Sequence, residues 1–247
     1  MRIVNATRYF SNAKRITEIT DLGREELLKL LCTNNDLNFN ELKTKSKSQI
    51  NQDIFVISNL RGKKNGYFVE FGATDGIGLS NTFLLEKEYG WNGILVEPGK
   101  NWREELVKNR KAKIDFRCVA ASSKDYVTFS EATSPELSTI AGFENHDQNK
   151  RTTKSTYSVE TVSLIDLLIE HDAPKIIDYI SIDTEGTEFD ILKNFDFGEY
   201  KFKIMTVEHN FTSERDKIFQ LLTANGYHRI WSEFTQFDDW YVHPAII

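Results

Sequence analysis

The feature that most constrains the fold is the stretch from Tyr67 to Thr82, which has the sequence YFVEFGATDGIGLSNT. Tyr67 to Phe71 form the β-branched and aromatic run of a buried strand, and a helical pattern begins after the turn, near Asn81. Glycines in the turn let the backbone approach a ligand closely, and the N-terminus of the helix offers unpaired N–H groups. The stretch therefore predicts a strand, a tight turn and a helix that together form a nucleotide-type cofactor site.

More strands and helices alternate after this unit. The predicted strands are Trp91–Val96, Ile114–Ala121, Val127–Ser130, Tyr157–Val162, Ile176–Ile182 and Phe202–Val207. Connections of helix length between most of them predict a parallel sheet with right-handed crossovers. Apolar runs at Tyr227–Trp231 and Trp240–Val242 flank a polar turn and predict a terminal β-hairpin.

Three segments lie outside this alternation. Residues 1–47 contain one clear helical pattern, Asp21–Cys32, and a second helix is predicted from Ser48 to Leu60 with Ser48 as its N-cap. Glu131–Thr156 is rich in polar residues and has no regular pattern. A loop of that length in a compact domain is a functional lid or a disordered segment, and both alternatives stay open here.

Composition excludes several classes of protein. A net charge of −6 argues against general electrostatic attraction to nucleic acid or anionic lipid. The two cysteines are far apart and predict neither a disulfide framework nor a zinc site. Since there is no apolar run of about 20 residues and no signal-peptide core, we expect a cytoplasmic protein without a membrane span. Nothing in the sequence indicates an oligomeric state.

The residues that follow the predicted strands carry the chemistry, because an open α/β sheet binds its ligand at the carboxyl ends of its strands. Glu97 lies 21 residues after Gly76, which is the spacing of a carboxylate that accepts from ribose hydroxyls. The turn from Gly72 to Gly76 lacks the middle glycine that brings a pyrophosphate against the backbone. A ribose without a pyrophosphate favours S-adenosylmethionine over a dinucleotide.

Several motifs, in order along the chain, resemble the FkbM family of S-adenosylmethionine-dependent methyltransferases. They are Ser48-Gln49-x-x-Gln52-Asp53, Phe68-Val69-Glu70-Phe71-Gly72-Ala73, Ser80-Asn81-Thr82, Leu85-Glu86-Lys87, Trp91-x-Gly93-Ile94-Leu95-Val96-Glu97-Pro98 and Ile177–Gly186 followed by x-Glu188. The resemblance implies an α/β class I methyltransferase fold: a mostly parallel seven-stranded sheet with helices on both faces and an antiparallel C-terminal hairpin. It places the methyltransferase domain at residues 48–247, after a helical extension of residues 1–47.

The resemblance also implies a set of site residues and an activity. The implied cofactor-binding residues are Glu70, Gly72, Ala73, Thr74, Gly76, Asn81, Glu97, Val119, Ala120 and Asp183. Among them Glu97 corresponds to the ribose-binding acid, Val119 and Ala120 flank the adenine, and Asp183 lies beside the transferred methyl group. The implied reaction is methylation of a hydroxyl, commonly on a sugar or a natural product.

An alcohol is a weak nucleophile, so a base or a metal ion near its oxygen would help the transfer. The predicted catalytic residues are Asp183, Glu185 and His209, with His209 or Asp183 accepting the proton and Glu185 orienting the acceptor. Each has a simpler alternative: Glu185 complements a helix dipole, and His209 is a hydrogen-bonded residue at a strand end. Together with Glu208 these side chains could bind a divalent cation, but we predict that no metal is needed.

Two further functions stay open beside methylation of a sugar or glycan precursor. One is methylation of another small acceptor, through a natural-product hydroxyl or an amide-type nitrogen, and the other is cofactor binding without catalysis. Methylation of nucleic-acid amines is disfavoured, because the fourth long strand ends in Asp183-Thr184-Glu185-Gly186 and lacks the proline-rich turn that holds a flipped base.

Overall fold

The computed structural model describes residues 23–147 and 149–247. Its strands are β1 (Tyr67–Phe71), β2 (Asn92–Val96), β3 (Lys113–Asp115), β4 (Cys118–Ala120), β5 (Tyr126–Ala132), β6 (Thr139–Ile140), β7 (Thr153–Ser163), β8 (Ile176–Ile182), β9 (Lys201–Glu208), β10 (His228–Ile230) and β11 (Asp238–Val242). Its α-helices are α1 (Arg24–Thr33), α2 (Phe39–Lys45), α3 (Gln52–Asn59), α4 (Phe83–Tyr89), α5 (Arg103–Asn109), α6 (Leu164–Glu170), α7 (Glu188–Lys193) and α8 (Glu214–Ala224).

Seven strands form the main sheet, in the order β10-β11-β9-β8-β1-β2-β3. Neighbouring strands from β9 to β3 run parallel, whereas β11 is antiparallel to both β9 and β10. This arrangement confirms the predicted α/β class I methyltransferase fold with its antiparallel terminal hairpin. The order places β1 and β8 at the centre, so the turns that follow these two strands meet at the same edge of the sheet.

Side chains alternate between the two faces of the sheet, as the period of a strand requires. Val69 and Phe71 pack with the apolar side chains of α6, α7 and α8 in one core cluster. Phe68 lies on the opposite face and packs with side chains of α1 to α5 in a second cluster. Glu70 follows Phe68 on this second face, and its position near the end of β1 brings a buried carboxylate to the ligand-binding edge.

The N-terminal helices are part of the second core cluster. Leu28 and Cys32 of α1 and Phe39 and Leu42 of α2 are buried there with residues of α3. Within the predicted helix Asp21–Cys32, residues 21 and 22 lie outside the described residues. The boundary between an extension of residues 1–47 and a domain of residues 48–247 stays a prediction.

The predicted N-cap at Ser48 is wrong. Helix α3 begins at Gln52, and its N-cap is Asn51, which has a left-handed backbone with φ of 64°. The hydroxyl of Ser48 instead donates to the Asp53 carboxylate at 2.8 Å, and Ser48 pairs with Leu79 in a parallel bridge. The segment before α3 is therefore attached to the loop that follows β1.

The predicted strand Ile114–Ala121 is interrupted. The Asp115 carboxylate accepts the N–H of Arg117 at 2.9 Å and pairs with its guanidinium at 2.6 Å, which turns the chain after β3. Strand β3 ends the main sheet, whereas β4 pairs with β7 in a separate four-stranded sheet of order β4-β7-β5-β6.

Both ends of the predicted irregular segment Glu131–Thr156, and two residues within it, belong to this second sheet. Strand β5 extends to Ala132, β7 begins at Thr153, and the short strand β6 lies between them. The chain between β6 and β7 is held by Arg151, which donates to the carbonyl oxygens of Leu137 and Glu144. Whether this segment acts as a lid stays a prediction.

Among the described helices, none has both the length and the apolar composition needed to cross a membrane.

Candidate active site

A cleft with a volume of about 250 Å³ lies at the carboxyl ends of the central strands. Residues that follow β1, β2, β8 and β9 line it: Gly72 and Thr74, then Glu97, then Asp183, Thr184 and Glu185, and finally Asn210. The second sheet forms the opposite wall through Phe129 and Ile140. The cleft therefore occupies the place where an open α/β sheet binds its ligand.

The turn after β1 is shaped by two glycines with different roles. A Cβ atom on Gly72, which has φ of 74°, would lie 2.5 Å from the backbone oxygen of Asp183, so only glycine lets the ends of β1 and β8 approach each other. A Cβ atom on Gly76 would lie 2.5 Å from Cγ of Arg110. Gly76 and the buried Ala73 thus shape the turn on its side away from the cleft, and neither residue lines the cleft.

Glu97 is buried at the end of β2, and its two oxygens bond to the turn after β1 and to the loop after β2. Its Oε2 accepts the N–H of Thr74 at 2.8 Å, and its Oε1 accepts the N–H of Gly99 at 2.7 Å. A carboxylate has about four acceptor positions, so roughly one remains on each oxygen. Two remaining acceptors on one carboxylate suit a pair of vicinal hydroxyls, and the residue fits the predicted ribose-binding role.

Burial raises the pKa of the Glu97 carboxyl to about 7, although the N–H groups of Gly99 and Thr74 oppose the shift. The ionised form, which accepts hydrogen bonds on both oxygens, therefore predominates only above neutral pH in the unliganded protein.

Glu70 organises the loop between β1 and α4. Its carboxylate accepts the N–H of Asn81 at 2.6 Å and the hydroxyl of Ser80 at 3.0 Å, and it also accepts the hydroxyl of Thr82. Asn81 in turn donates to the hydroxyl of Ser181 at 2.9 Å. Both Glu70 and Asn81 line the cleft, and their hydrogen bonds fix the loop that closes it beside β8.

The wall expected beside the adenine is apolar. Val119 lines the cleft together with Cys118 and Phe129. Ala120 pairs with Ser163 in the second sheet and does not line the cleft. Of the two positions predicted beside the adenine, only Val119 therefore lines the cleft.

Three carboxylates meet where β8 and β9 end. One oxygen from each of Asp183, Glu185 and Glu208 lies within 4.8 Å of the others. Burial, followed by the charge of Glu185, raises the pKa of Asp183 well above its ordinary value. Burial and the charge of Asp183 raise the pKa of Glu208 in the same way. Neighbouring carboxylates of this kind share protons, so the group holds at least one proton to a higher pH than an exposed acid does.

Glu185 is held by groups from two other segments. Its carboxylate pairs with Arg151, which also bonds both oxygens of Asp147 at 2.6 and 2.8 Å. Asn210 donates to Asp147 at 3.0 Å and to Glu185 at 3.4 Å. Burial raises the pKa of Glu185 to about 7 against the opposing charge of Arg151. Both hydrogen bonds go to Oε2 and fix the position of the carboxylate, so we assign Glu185 a role in orienting neighbouring groups.

His209 does not line the cleft. Its Nδ1 accepts the N–H of Phe211 at 3.0 Å, and its Nε2 lies 3.8 Å from the Asp239 carboxylate. Burial lowers the pKa of the imidazole to about 4, so the ring is neutral at pH 7. The neutral ring has one lone pair in its plane, on Nδ1, and the Phe211 N–H occupies it. We therefore exclude His209 from the catalytic residues proposed below.

The polar residues that line the cleft include Gln49 and Asn210, which were not among the predicted site residues. Gln49 belongs to the segment attached to the loop after β1. Gln52, three residues later, donates to the buried Asp238 carboxylate at 2.8 Å and so anchors this part of the chain to β11. Asn210 directly follows Glu208-His209 beyond β9, so its position past a strand end was a usable signal. The residues of the second sheet gave no comparable signal, because only the folded chain brings that sheet to the cleft.

Comparison with known proteins identifies the family. The family model for the methyltransferase FkbM domain matches residues 70–236, which is more than half of the chain. No curated protein matches the sequence. Solved structures are also similar to the chain at low identity, among them these two.

One is precorrin-6y C5,15-methyltransferase from Geobacter metallireducens, with 11% identity, 77% of this chain and 86% of the other covered, and a TM-score of 0.39. The other is a protein assigned as an RNA methyltransferase from Pyrococcus horikoshii, with 12% identity, coverage of 78% and 82%, and a TM-score of 0.38. The family assignment rests on the family model, which covers the turn after β1, the Glu97 position and the acidic strand ends. The chain belongs to the FkbM family of methyltransferases, and its methyl donor is S-adenosylmethionine.

Proposed function

We propose that the protein transfers a methyl group from S-adenosylmethionine to a hydroxyl of a neutral acceptor, and that the acceptor is a sugar or a glycan precursor. The observation that carries the proposal is the cluster of Asp183, Glu185 and Glu208 beside the cofactor turn. Buried carboxylates with raised pKa values are effective bases near neutral pH, and an alcohol needs such a base to become a good nucleophile.

The proposed cofactor-binding residues come from the loop after β1, the end of β2 and strand β4. Bound S-adenosylmethionine supplies an electrophilic methyl carbon on a sulfonium. Glu97 accepts the ribose hydroxyls, and Val119 contacts the adenine on its apolar side. Thr74 orients Glu97 through its N–H group, and Asn81 holds the end of the cleft next to β8. These residues align the methyl carbon with the acceptor, which is the main contribution that a protein makes to an in-line displacement.

The proposed catalytic residues are Asp183 and Glu185. Asp183 accepts the hydroxyl proton at a carboxylate oxygen, and Glu208 shares that proton because the two acids are coupled. Glu185 is fixed by Arg151 and Asn210 and orients the acceptor through its remaining lone pairs. No step in this scheme requires His209 or a metal ion.

The charge of the site supports a neutral acceptor. Carboxylates of Asp183, Glu185 and Glu208 would repel a phosphate or carboxylate on the substrate, whereas hydroxyls donate to them favourably. The amides of Gln49 and Asn210 add donors and acceptors without charge. A simple alcohol or an amide nitrogen also satisfies these conditions, so the experiment has to include both.

A transfer assay with tritiated S-adenosylmethionine tests the proposal. The acceptors are a panel of methyl pyranosides, benzyl alcohol as a non-sugar hydroxyl, and benzamide as an amide nitrogen. We expect label only in the pyranosides. Transfer to benzyl alcohol or benzamide alone would refute the sugar assignment, and failure to label any of the three classes would refute the proposed acceptor chemistry.

The variant Asp183→Asn tests the base in the same assay. It keeps the size of the side chain and removes the proton acceptor, so we expect turnover to fall about 10²-fold or more, within the range for a general base. Affinity for S-adenosylhomocysteine and the circular dichroism spectrum should stay close to wild type. Turnover within threefold of wild type would remove Asp183 from the mechanism.

A further inference from the structure

Arg110 is a buried arginine at the C-terminal end of α5, and it packs against the loop of residues 76–82 without lining the cleft. The stem of its side chain fills the space that a Cβ atom on Gly76 would need. The preceding residue, Asn109, donates to the backbone oxygen of Asp75 at 2.9 Å. A charge buried this deeply is costly unless its N–H groups and its charge have partners.

The guanidinium of Arg110 finds these partners in the loop and in α4. Its Nη1 donates to the backbone oxygen of Gly76 and to the hydroxyl of Ser80, both at 3.1 Å. Its Nη2 donates to the hydroxyl of Thr82 at 2.8 Å, and its Nε donates to the Glu86 carboxylate at 3.0 Å. Arginine has five N–H groups in a rigid plane, so one side chain fixes both ends of the loop.

Two hydroxyls connect Arg110 to the carboxylate of Glu70. Ser80 and Thr82 each accept from Arg110 and donate to Oε2 of Glu70, which lies 3.6 Å from Nη1 of Arg110. A hydroxyl has a single hydrogen, so the direction of both hydrogen bonds is determined by the two charges. The buried charge pair therefore holds the two residues that flank Asn81.

Asn81 itself faces the cleft. Its backbone N–H donates to Glu70 at 2.6 Å, and its Nδ2 donates to the hydroxyl of Ser181 at 2.9 Å. Its Oδ1 is buried and accepts no hydrogen bond from the described residues. A buried amide oxygen of this kind is costly to leave unpaired, which indicates that a ligand with an N–H or O–H group donates to it.

The order of the strands indicates which part of the cofactor reaches Asn81. Glu97 ends β2 and Ser181 belongs to β8, so the two lie on opposite sides of the central strand β1. In S-adenosylmethionine the ribose lies between the adenine and the sulfonium that carries the amino-acid part. With the adenine at Val119 and the ribose at Glu97, the amino-acid part is the portion of the cofactor on the β8 side.

We propose that Arg110 is a positioning residue that holds Asn81 where its amide oxygen accepts the ammonium group of the amino-acid part of S-adenosylmethionine. The inference rests on the proposed placement of the ribose at Glu97 and does not depend on the identity of the acceptor. Arg110 touches no part of the cofactor. It acts through the loop of residues 76–82, and Glu70 adds a carboxylate that attracts the ammonium.

Isothermal titration calorimetry with two ligands tests the proposal on the full chain at pH 8, in the presence of EDTA. One ligand is S-adenosylhomocysteine, which has the amino-acid part. The other is 5′-methylthioadenosine, which keeps the adenine, the ribose and a thioether but lacks the amino-acid part. The ratio of the two affinities isolates the amino-acid part, and a variant that merely loosens the fold does not change this ratio selectively.

In Asn81→Leu and in Arg110→Lys we expect the affinity for S-adenosylhomocysteine to fall about tenfold, while that for 5′-methylthioadenosine stays within twofold of wild type. Lysine keeps the positive charge of Arg110 and loses the planar set of donors. A matched control is Arg215→Lys: Arg215 also donates to both oxygens of a buried carboxylate, that of Asp239, and does not line the cleft. The control should leave both affinities unchanged.

Thr82→Val decides the question if Arg110→Lys does not fold. Valine keeps the shape of threonine and removes one of the two hydroxyls that connect Arg110 to Glu70. We expect a selective fall of about threefold in the affinity for S-adenosylhomocysteine, the effect of one neutral hydrogen bond. Differential scanning fluorimetry shows whether each variant is folded at the temperature of the titration.

The outcomes separate this inference from the proposed ribose site. An equal loss of both ligands in the folded Arg110 or Thr82 variant would mean a general structural role and would overturn the proposal. Wild-type affinity for S-adenosylhomocysteine in Asn81→Leu would overturn it as well. Glu97→Gln, measured in the same series, should weaken both ligands alike, and its failure to do so would refute the ribose site while leaving the contrast between the two ligands in Arg110→Lys intact.

Discussion

Replacing Glu97 by glutamine is the sharpest test of how the cofactor is held. The carboxylate accepts one backbone N–H on each oxygen and keeps about one acceptor position on each for the ribose. A glutamine amide has only one oxygen, so its NH₂ group must face either the N–H of Thr74 or that of Gly99. The variant therefore loses a charged acceptor and places the new NH₂ group against one of these backbone N–H donors.

The expected cost follows from the hydrogen bonds that are lost. A hydrogen bond to a charged group contributes about 1.5–3 kcal/mol. Losing one of them weakens the affinity for S-adenosylhomocysteine by about ten- to 150-fold. Isothermal titration calorimetry at pH 8, where Glu97 is ionised, measures this change directly.

The pH dependence of binding provides a second measurement. Since the pKa of Glu97 is raised to about 7, its carboxyl is mostly protonated below that pH. Ribose hydroxyls that donate to both oxygens must then displace this proton. Wild-type affinity should therefore rise from pH 6 to about pH 7.5 and then level off, whereas Glu97→Gln should not show this rise.

A matched control is Glu131→Gln. Glu131 is also buried, pairs with Lys154 at 2.9 Å and does not line the cleft. The affinity of the Glu131→Gln variant for S-adenosylhomocysteine should therefore equal that of wild type. If Glu97→Gln binds within twofold of wild type and keeps the same rise with pH, the ribose assignment is wrong.

Three further predictions concern the acids, the histidine and metal ions. In His209→Ala the pH–rate profile above pH 5 should keep its shape, because the wild-type ring is neutral there and its lone pair is occupied. A stopped-time assay measures the profile. Loss of the ascending or descending part of the profile in the variant would show that His209 is the base. Treatment with EDTA should leave activity unchanged, and a loss that Mg²⁺ restores would show that the acidic cluster binds a cation. Burial raises the pKa of Glu97 and Asp238 to about 7, so the folded protein holds these protons while the unfolded chain releases them. Between about pH 5 and 7 the stabilisation from both groups is lost as pH rises, at about 1.4 kcal/mol for each unit of pKa shift. The lowered pKa of His209 opposes only part of this loss of stability. Differential scanning fluorimetry should therefore show a lower Tm at pH 7.5 than at pH 5.5, and a higher Tm at pH 7.5 would contradict the argument.

The sequence predicted most of the main sheet because the apolar pattern there is local. Strand β8 has the predicted bounds, Ile176 to Ile182, since a mostly apolar run ends in a turn that contains Gly186. The break between β3 and β4 escaped prediction because a contact between Asp115 and Arg117, two residues apart, interrupts an otherwise strand-like pattern. Local side-chain hydrogen bonds of this kind compete with regular structure without changing the hydrophobic period.

The candidate site could be predicted in part for a similar reason. Gly72, Glu97 and Asp183 follow strands, and parallel strands bring their carboxyl ends to one edge. His209 also follows a strand, but it is the neighbour of Glu208, and consecutive residues at a strand end face opposite sides. Alternation therefore sends one of the two toward the carboxylate cluster and the other toward Asp239. Gln49 belongs to the motif Ser48-Gln49-x-x-Gln52-Asp53, but its position in the cleft depends on packing between distant segments.

The separation of β4 from the main sheet affects which parts of the cleft can be altered by mutation without disturbing the rest. Among the described residues, strands β4 to β7 hydrogen-bond with one another and form no ladder with the main sheet. The wall of the cleft that carries Phe129 and Ile140 can therefore be lengthened, shortened or replaced while the turn after β1 and the position of Glu97 stay as they are. Evolution or an engineer can alter what enters this side of the pocket by exchanging β5 and β6, while Val119 on β4, the proposed adenine contact, stays in place.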